Sequence, residues 1–329
     1  MVVQTDTTGT ALRSDSAAPV VGVIYNPRSH RNKGRDLDIA ARPNVHLAQP
    51  RTREEIHTAL AGFAELGVEY LIINGGDGTV RDVLTAGLDV FDNNWPALAV
   101  LPKGKTNALN VDLGAPSGWT LPDAVAAWDR GHRIVRRPLV VTPDAGGGPP
   151  LAGFILGAGG YAVGIRAGQD AHRLGAFNSL AVIVTAGWGV IQALLGSDAN
   201  PWRRGAPMEL LLGEERAALP HAGAGYEGRR SIMLASTLER FPGGIRLFGV
   251  LQEGLKIVVL DRPARRILAM MPLLLAGLRL ADPERRGVHY RSVDSFELTI
   301  GEDYILDGEA FPAGHYRVTR GPSLRFVVP

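Results

Sequence analysis

One carboxylate stands among three glycines in the stretch LIINGGDGTV, residues 71–80. An apolar run ends there in Gly75, Gly76, Asp77, Gly78 and Thr79. Glycines at a strand end let backbone N–H groups approach an anion, and a helix that follows turns its positive end toward the same point. Asp77 would repel a bare phosphate. Its presence implies a magnesium ion, a bound water or a hydroxyl to be deprotonated, unless it only caps a helix beginning at Thr79.

Three further stretches carry chemistry. LPKGKTNALN (101–110) also follows an apolar run, and it holds Lys103 and Lys105, two of only four lysines against 31 arginines, on either side of Gly104. Lysine is a compact charge suited to phosphate oxygens, and Thr106 and Asn107 add a hydroxyl and an amide. NPRSHRNKGR (26–35) is a polar loop bearing Arg28, His30, Arg31, Lys33 and Arg35. YILDGEAF (304–311) sets Asp307 and Glu309 two apart around Gly308. In extended backbone both carboxylates face one side; a plain hairpin turn is the structural alternative. No G-x-G-x-x-G follows the first strand and no G-x-x-x-x-G-K-[ST] occurs, so neither a dinucleotide fingerprint nor a P-loop explains these loops.

The elements that must position them alternate. PVVGVIYNP (19–27) reads as a buried strand stopped by Asn26-Pro27. TREEIHTALAGFAELG (52–67) reads as a helix capped by Thr52, with Glu55 three residues on, Gly67 as its stop and Ile56, Leu60 and Phe63 on its inner face. VEYLIIN (68–74) and PALAVLP (96–102) are strands; TVRDVLTAGL (79–88) and TLPDAVAAWDRG (120–131) are helices. This rhythm predicts a parallel sheet covered on both faces, whose strand ends gather the three loops into one crevice for nucleotide phosphates. After the turn-rich TPDAGGGPP (142–150), short alternating runs predict a mainly antiparallel second unit. The expected organisation is a disordered tail over 1–18, an α/β domain over 19–140 completed by the last strand at about 315–329, and a β-rich domain over 141–314.

Composition excludes several classes. The chain has 329 residues, 45% apolar, with 35 basic and 33 acidic side chains. That near balance implies no general affinity for nucleic acid. The absence of cysteine excludes disulfides, thiolate zinc sites and cysteine nucleophiles. The N-terminal stretch is polar and small and does not read as a signal peptide. Residues 180–196 and 267–278 carry no charge, but a spanning helix needs about 20 apolar residues. They read as buried core helices, as the lining of a lipid pocket, or as segments that dip into one leaflet.

The ordered set NPRS (26–29), GGDGT (75–79), GKTNAL (104–109) and DGE (307–309) resembles the diacylglycerol kinase catalytic family, which includes bacterial lipid kinases, sphingosine kinases and ceramide kinases. The resemblance runs from about Val20 to Pro329. It implies an N-terminal three-layer α/β nucleotide-binding domain, as in NAD kinases and phosphofructokinases, and a C-terminal β-rich sandwich, with the active site between them. It implies ATP and magnesium. The family's glycine loop maps onto Gly75, Gly76, Asp77, Gly78 and Thr79, extending through Val80 and Arg81; its first nucleotide loop maps onto Asn26, Pro27, Arg28, Ser29 and His30. The proton acceptor maps onto Glu309 of the DGE motif, beside Asp307, or onto Asp77 in sphingosine kinase-like members. A structural metal site maps onto Glu253 with the carbonyls of Val250 and Leu255.

The sequence also departs from the family pattern. Lys105 stands at a threonine position, Ala108 and Glu253 at aspartates, and Arg81 where asparagine is frequent. The NAL of 107–109 is similar to sphingosine and ceramide kinases. The expected partner is a lipid at the inner face of the membrane, met by a cytoplasmic protein that associates peripherally through 267–278 and its flanks RPARR (262–266) and Arg285-Arg286. No nucleic acid is expected, and a homodimer stays open. Two other readings remain: a NAD kinase-like small-molecule kinase, and a non-catalytic lipid- or nucleotide-binding regulator.

Overall fold

The structure is a computed structural model that describes residues 18–29, 31–32, 42–144, 146–173, 200, 204–222, 228–261 and 265–329. The tail 1–17, His30, Lys33, Arg35, the apolar run 180–196 and residues 262–264 lie outside the described residues.

The first lobe contains β1 (Val21–Tyr25), β2 (Val45–Ala48), α1 (Arg53–Glu65), β3 (Tyr70–Gly75), α2 (Asp77–Val90), β4 (Ala97–Pro102), α3 (Ala108–Leu113), α4 (Leu121–Arg130) and β5 (His132–Arg136). Every residue of β1, β3 and β4 is buried, as a sheet covered on both faces requires. On one face Ile56, Leu60 and Phe63 of α1 and Val80, Val83 and Leu84 of α2 pack on Ile24, Leu71 and Ile73. On the other, Leu121, Ala124 and Ala127 of α4 meet Val23, Tyr70 and Ile72. The result is three layers. Thr52 caps α1, its hydroxyl accepting from Glu55 N at 3.1 Å, a contact worth about 1 kcal/mol. The Glu55 carboxylate turns to Arg51 N instead of closing a capping box. The sequence pattern gave no sign of β2 or α3, which have only four and six residues.

The second lobe follows with β6 (Leu139–Pro143), β7 (Leu151–Gly153), β8 (Ile155–Gly159), α5 (Gly160–Arg173), β9 (Ala206–Leu212), β10 (Ala217–Ala218), β11 (Arg229–Arg230), β12 (Ile232–Ser236) and β13 (Leu255–Leu260). Then come α6 (Arg265–Ala269), α7 (Met271–Leu275), β14 (Val288–Val293), β15 (Ser295–Ile300), β16 (Tyr304–Leu306), β17 (Glu309–Phe311) and β18 (Gly314–Arg320). The chain closes with β19 (Leu324–Val328) in the first sheet, whose order is β2-β1-β3-β4-β19-β5. Its pairs are parallel except β19 with β5.

The other two sheets run β10-β9-β15-β18-β6-β7 and β14-β13-β12-β8-β16-β17, with antiparallel pairing. Their inner faces share Leu139, Leu156, Met233, Ile257, Phe296 and Val318, so they form a sandwich. Residues 314–320 belong to that sandwich, and only 324–328 return to complete the first sheet. A separate apolar cluster crosses between lobes, joining Leu84, Leu109 and Phe326 to Phe154, Leu234 and Phe241. The uncharged stretch 267–278 forms parts of two short helices, and no helix among the described residues is long and apolar enough to cross a membrane.

Candidate functional site

Hydrogen bonds knit the three strand-end loops together. Asn26 Nδ2 donates to Thr79 Oγ1 at 2.8 Å, fastening the first loop to the glycine loop. Arg31 N donates to Lys103 O at 3.1 Å, fastening it to the lysine loop. Gly76 and Gly104 meet backbone to backbone: a Cβ on either would lie 2.8 Å from the other's Cα. Asn107, at φ 51°, braces its own loop, accepting from Gly104 N at 2.7 Å and donating to Gly104 O at 3.0 Å. Pro27, Arg28, Lys105 and Thr106 are exposed around this floor, with Ser29 and Lys103 half-buried.

Asp77 does not cap its own helix. Helix α2 begins at Asp77 itself, with Gly76 as an N-cap that offers no side chain. The carboxylate crosses to the next loop instead, accepting from Asn107 N and Ala108 N at 2.9 Å each. It thereby caps α3 and holds the lysine loop against the glycine loop. Burial raises its pKa, against the pull of those amides.

The turn from the second lobe arrives at the same place. Leu306 pairs with Glu309, which makes Asp307-Gly308 a two-residue hairpin turn with φ of 46° and 85°, the geometry that favours Asp-Gly. The two carboxylates therefore do not share one face of a strand. Asp307 folds back to accept from Phe154 N at 3.0 Å and Ile155 N at 2.8 Å. Burial pushes its pKa up to about 7, the amide of Ile155 works against that, and the charge of Asp77 adds to it. Tyr161, at the start of α5, has its phenol raised by burial and then by the charges of Asp307 and Asp77. These three groups are neighbours.

Glu309 lies in a different environment. Its two oxygens accept from Arg81 Nη2 and Arg53 Nη2. Arg81 also donates to Asp82 at 2.8 Å and to Leu306 O at 3.3 Å, and only 3% of it is exposed. Arg53 reaches Asp82 at 3.2 Å. Burial acts to raise the Glu309 pKa, but the two guanidiniums outweigh it and hold the carboxylate below its usual range. Arg81 thus pins the lobes together instead of standing free for phosphate, and Val80 is buried in the first-lobe core. Arg53 and Tyr161 were missed by sequence reasoning; Gly157, Gly159 and Gly160 ahead of Tyr161 were a signal that could have flagged it, whereas Arg53 lies in a helix and only the fold brings it here.

The residues mapped onto a structural metal lie on the turn that leads into β13. Val250 and Glu253 are exposed, and Leu255 opens β13 with its side chain in the sandwich core. No group of three or more His, Asp or Glu among the described residues is placed to hold a metal ion. A cation already stands beside this turn: buried Lys256 donates to Gln252 O at 3.0 Å. Burial lowers its pKa to about 8, while Asp112, Glu239 and Glu253 act to raise it.

The strand-end loops offer groups that suit nucleotide phosphates. Glycine backbones with no room for a Cβ, the N-terminus of the 14-residue α2 and two lysines form one cradle. Asp77 adds a hard oxygen donor of the kind that suits magnesium.

Comparison with known proteins agrees with this geometry. The sequence model of the diacylglycerol kinase catalytic domain matches residues 20–136. A probable lipid kinase YegS of Salmonella arizonae is 45% identical over 51 residues, 16% of this chain and 17% of that protein, and its counterpart in Salmonella heidelberg gives the same figures. The match therefore spans about a sixth of these relatives' length. In three dimensions, a diacylglycerol kinase from Bacillus anthracis str. Sterne aligns over 94% of this chain and 97% of its own, with TM-score 0.57 and 17% identity. A second solved structure from that organism reaches 0.63 over the same shares, also at 17% identity. Those structures share the two-lobed fold, and it is the segment carrying NPRS, GGDGT and GKTNAL that matches the diacylglycerol kinase catalytic domain.

Proposed function

We propose that the protein is an ATP-dependent lipid kinase, transferring a phosphoryl group to the hydroxyl of a membrane lipid of the diacylglycerol type or the ceramide and sphingoid type. One observation carries this reading: the strand-end loops of the first lobe and a carboxylate-bearing turn from the other lobe come together, with Asp77 beside Asp307 and Arg81 bound to Glu309. Phosphoryl transfer asks a protein for alignment and charge neutralisation. The amides of 75–79 and the ammonium groups of Lys103 and Lys105 hold the phosphates. ATP supplies the transferable group, and Asp77 is the residue that would hold magnesium beside it.

The acceptor hydroxyl must lose its proton. A general base works best with a pKa near the operating pH. Asp307 has that property, and its oxygens are held by backbone amides. Glu309 is engaged by two arginines, which makes it the residue that aligns the turn on α2. Asp307 is therefore the proton acceptor in this reading, and Glu309 a positioning residue. Ile267, Met271 and Leu274, packed over Leu234 and Val258 of the second lobe, are candidates for acyl-chain contacts. A lipid acceptor requires the protein to meet the cytoplasmic face of a membrane peripherally.

Transfer of labelled phosphate from ATP to a total lipid extract tests the reading. The expected outcome is a labelled product in the organic phase whose identity distinguishes diacylglycerol from ceramide or sphingoid acceptors. Label confined to NAD, or no transfer at all, would refute it.

A further inference from the structure

Four of the seven large apolar side chains exposed among the described residues gather on one corner of the second lobe: Ile245, Val250, Leu273 and Leu278. Two segments build that corner. Arg246 N donates to Leu275 O at 2.7 Å, tying the loop after β12 to the end of α7. Leu278 N donates to Leu273 O at 2.9 Å, which sets those two leucines side by side. The inner face of α7 is already used, because Met271, Leu274 and Leu275 turn toward Leu234, Val258 and Leu260. Leu273 and Leu278 are left facing water, 56% and 48% exposed, with Val250 at 62%.

Charge sits beside this apolar rim. A cleft of about 500 Å³ opens between the loop and Arg279, with the guanidinium-bearing residues Arg240, Arg246 and Arg279 on its wall. None of the three has a carboxylate partner among the described residues. Two carboxylates share the wall, Glu239, which is paired with Arg136 at 2.8 Å, and the exposed Glu253, so three arginines against one carboxylate without an ion-pair partner among the described residues leave the rim positive. Apolar side chains ringed by unpaired arginines are what an anionic leaflet takes up: the acyl boundary accepts the first and phosphate-bearing headgroups the second. A second copy of the chain fits less well, because a two-fold contact would bring two rims of three arginines together with only Glu253 on each to offset them.

We propose that this corner docks the protein on a bilayer containing anionic phospholipid, with Arg240, Arg246 and Arg279 at the headgroups and Ile245, Val250, Leu273 and Leu278 in the acyl boundary. The corner holds a fixed place relative to the phosphate cradle. Its loop begins at Glu239 and Arg240, whose backbone amides donate to Asp112 of the first lobe at 2.6 and 2.8 Å. The choice of a membrane as partner rests on the lipid-kinase reading; the test measures binding alone.

The full chain is sedimented with vesicles of phosphatidylcholine and with vesicles of phosphatidylcholine plus phosphatidylglycerol, across a salt series. The expected result is pelleting with the anionic vesicles, weakening as salt rises. The pair Arg246→Gln/Arg279→Gln should bind about thirtyfold less tightly, and Val250→Ser/Leu273→Ser about tenfold or more. Both pairs should match the wild-type unfolding temperature and its phosphate transfer to detergent-dispersed lipid. Equal pelleting with both vesicle types, or variants that bind like the wild type, would overturn the proposal. So would a dimer in light scattering that Val250→Ser/Leu273→Ser dissociates, which would make the corner a self-interface. A wild-type protein that pellets with anionic vesicles but phosphorylates no lipid would sink the kinase reading and leave the docking surface standing.

Discussion

Two carboxylates two residues apart have been driven to opposite ends of their range. Asp307 is pushed up to about 7, while Glu309 is held low by Arg53 and Arg81. A base acts when ionised, so turnover should rise as pH passes through about 7. Asp307→Asn should abolish that limb and lower turnover by about 10²–10⁴-fold. Glu309→Gln should keep the limb and act mainly through the KM for lipid, because it loosens the turn without removing the base. A pH–rate profile of both variants separates the roles; loss of the limb in Glu309→Gln alone would return the base to Glu309. Stability gives an independent check. An acid whose folded pKa is raised stabilises the fold most below its unfolded value, and that contribution is lost as pH rises toward about 7. Asp307→Asn should therefore unfold at a higher temperature than the wild type at pH above about 7. The sequence left the base open between Glu309 and Asp77 and did not single out Asp307, since the partners that set these charges are distant: Arg53 lies 256 positions away from Glu309.

At the scale of elements, the cradle is made by the ends of β3 and β4 and the helices that follow them. The short α3 would be marginal alone; Asp77 holds its first turn and Asn110 Nδ2 bonds back to Val100 O. Contact between Gly76 and Gly104 sets how closely the two loops approach. Gly104→Ala would place a methyl 2.8 Å from Gly76 Cα and 2.9 Å from Asn107 Oδ1. Overpacking of this kind costs about 1–3 kcal/mol, and here it would part the loops of the proposed phosphate cradle. The expected outcome is a KM for ATP raised about tenfold or more, with circular dichroism unchanged. Titration with an ATP analogue gives the same test without turnover. The glycines could be read as an anion loop from sequence, but their mutual contact could not, because nothing local records that two loops 28 residues apart touch.

At the scale of the molecule, the lobes are joined by a shared apolar cluster and by polar contacts at the junction. Asp112, whose side chain is fully buried, accepts from the amides of Glu239 and Arg240 and from Arg136 Nε at 2.6 Å. Asp112→Ala would leave those donors without a partner and should destabilise the protein by about 3 kcal/mol, at the low end for a buried pair because Arg136 keeps some water contact. Urea unfolding measures this. Asp112→Asn, which retains an acceptor oxygen, should recover part of the loss.

Alternation of apolar runs with capped helices was enough to foresee the three-layer first lobe, because burial on both faces of a parallel sheet leaves a pattern in every strand. The place of the loops 26–29, 75–79 and 104–107 at strand ends was equally legible, since proline and glycine end the apolar runs there. What needed the tertiary structure was pairing at long range. The return of 324–328 to the first sheet, the arginines on Glu309, the amides on Asp307 and the ammonium of Lys256 beside the expected metal position all depend on residues that meet only after folding. Side-chain type is a local property; the partner that sets its charge and its role is not.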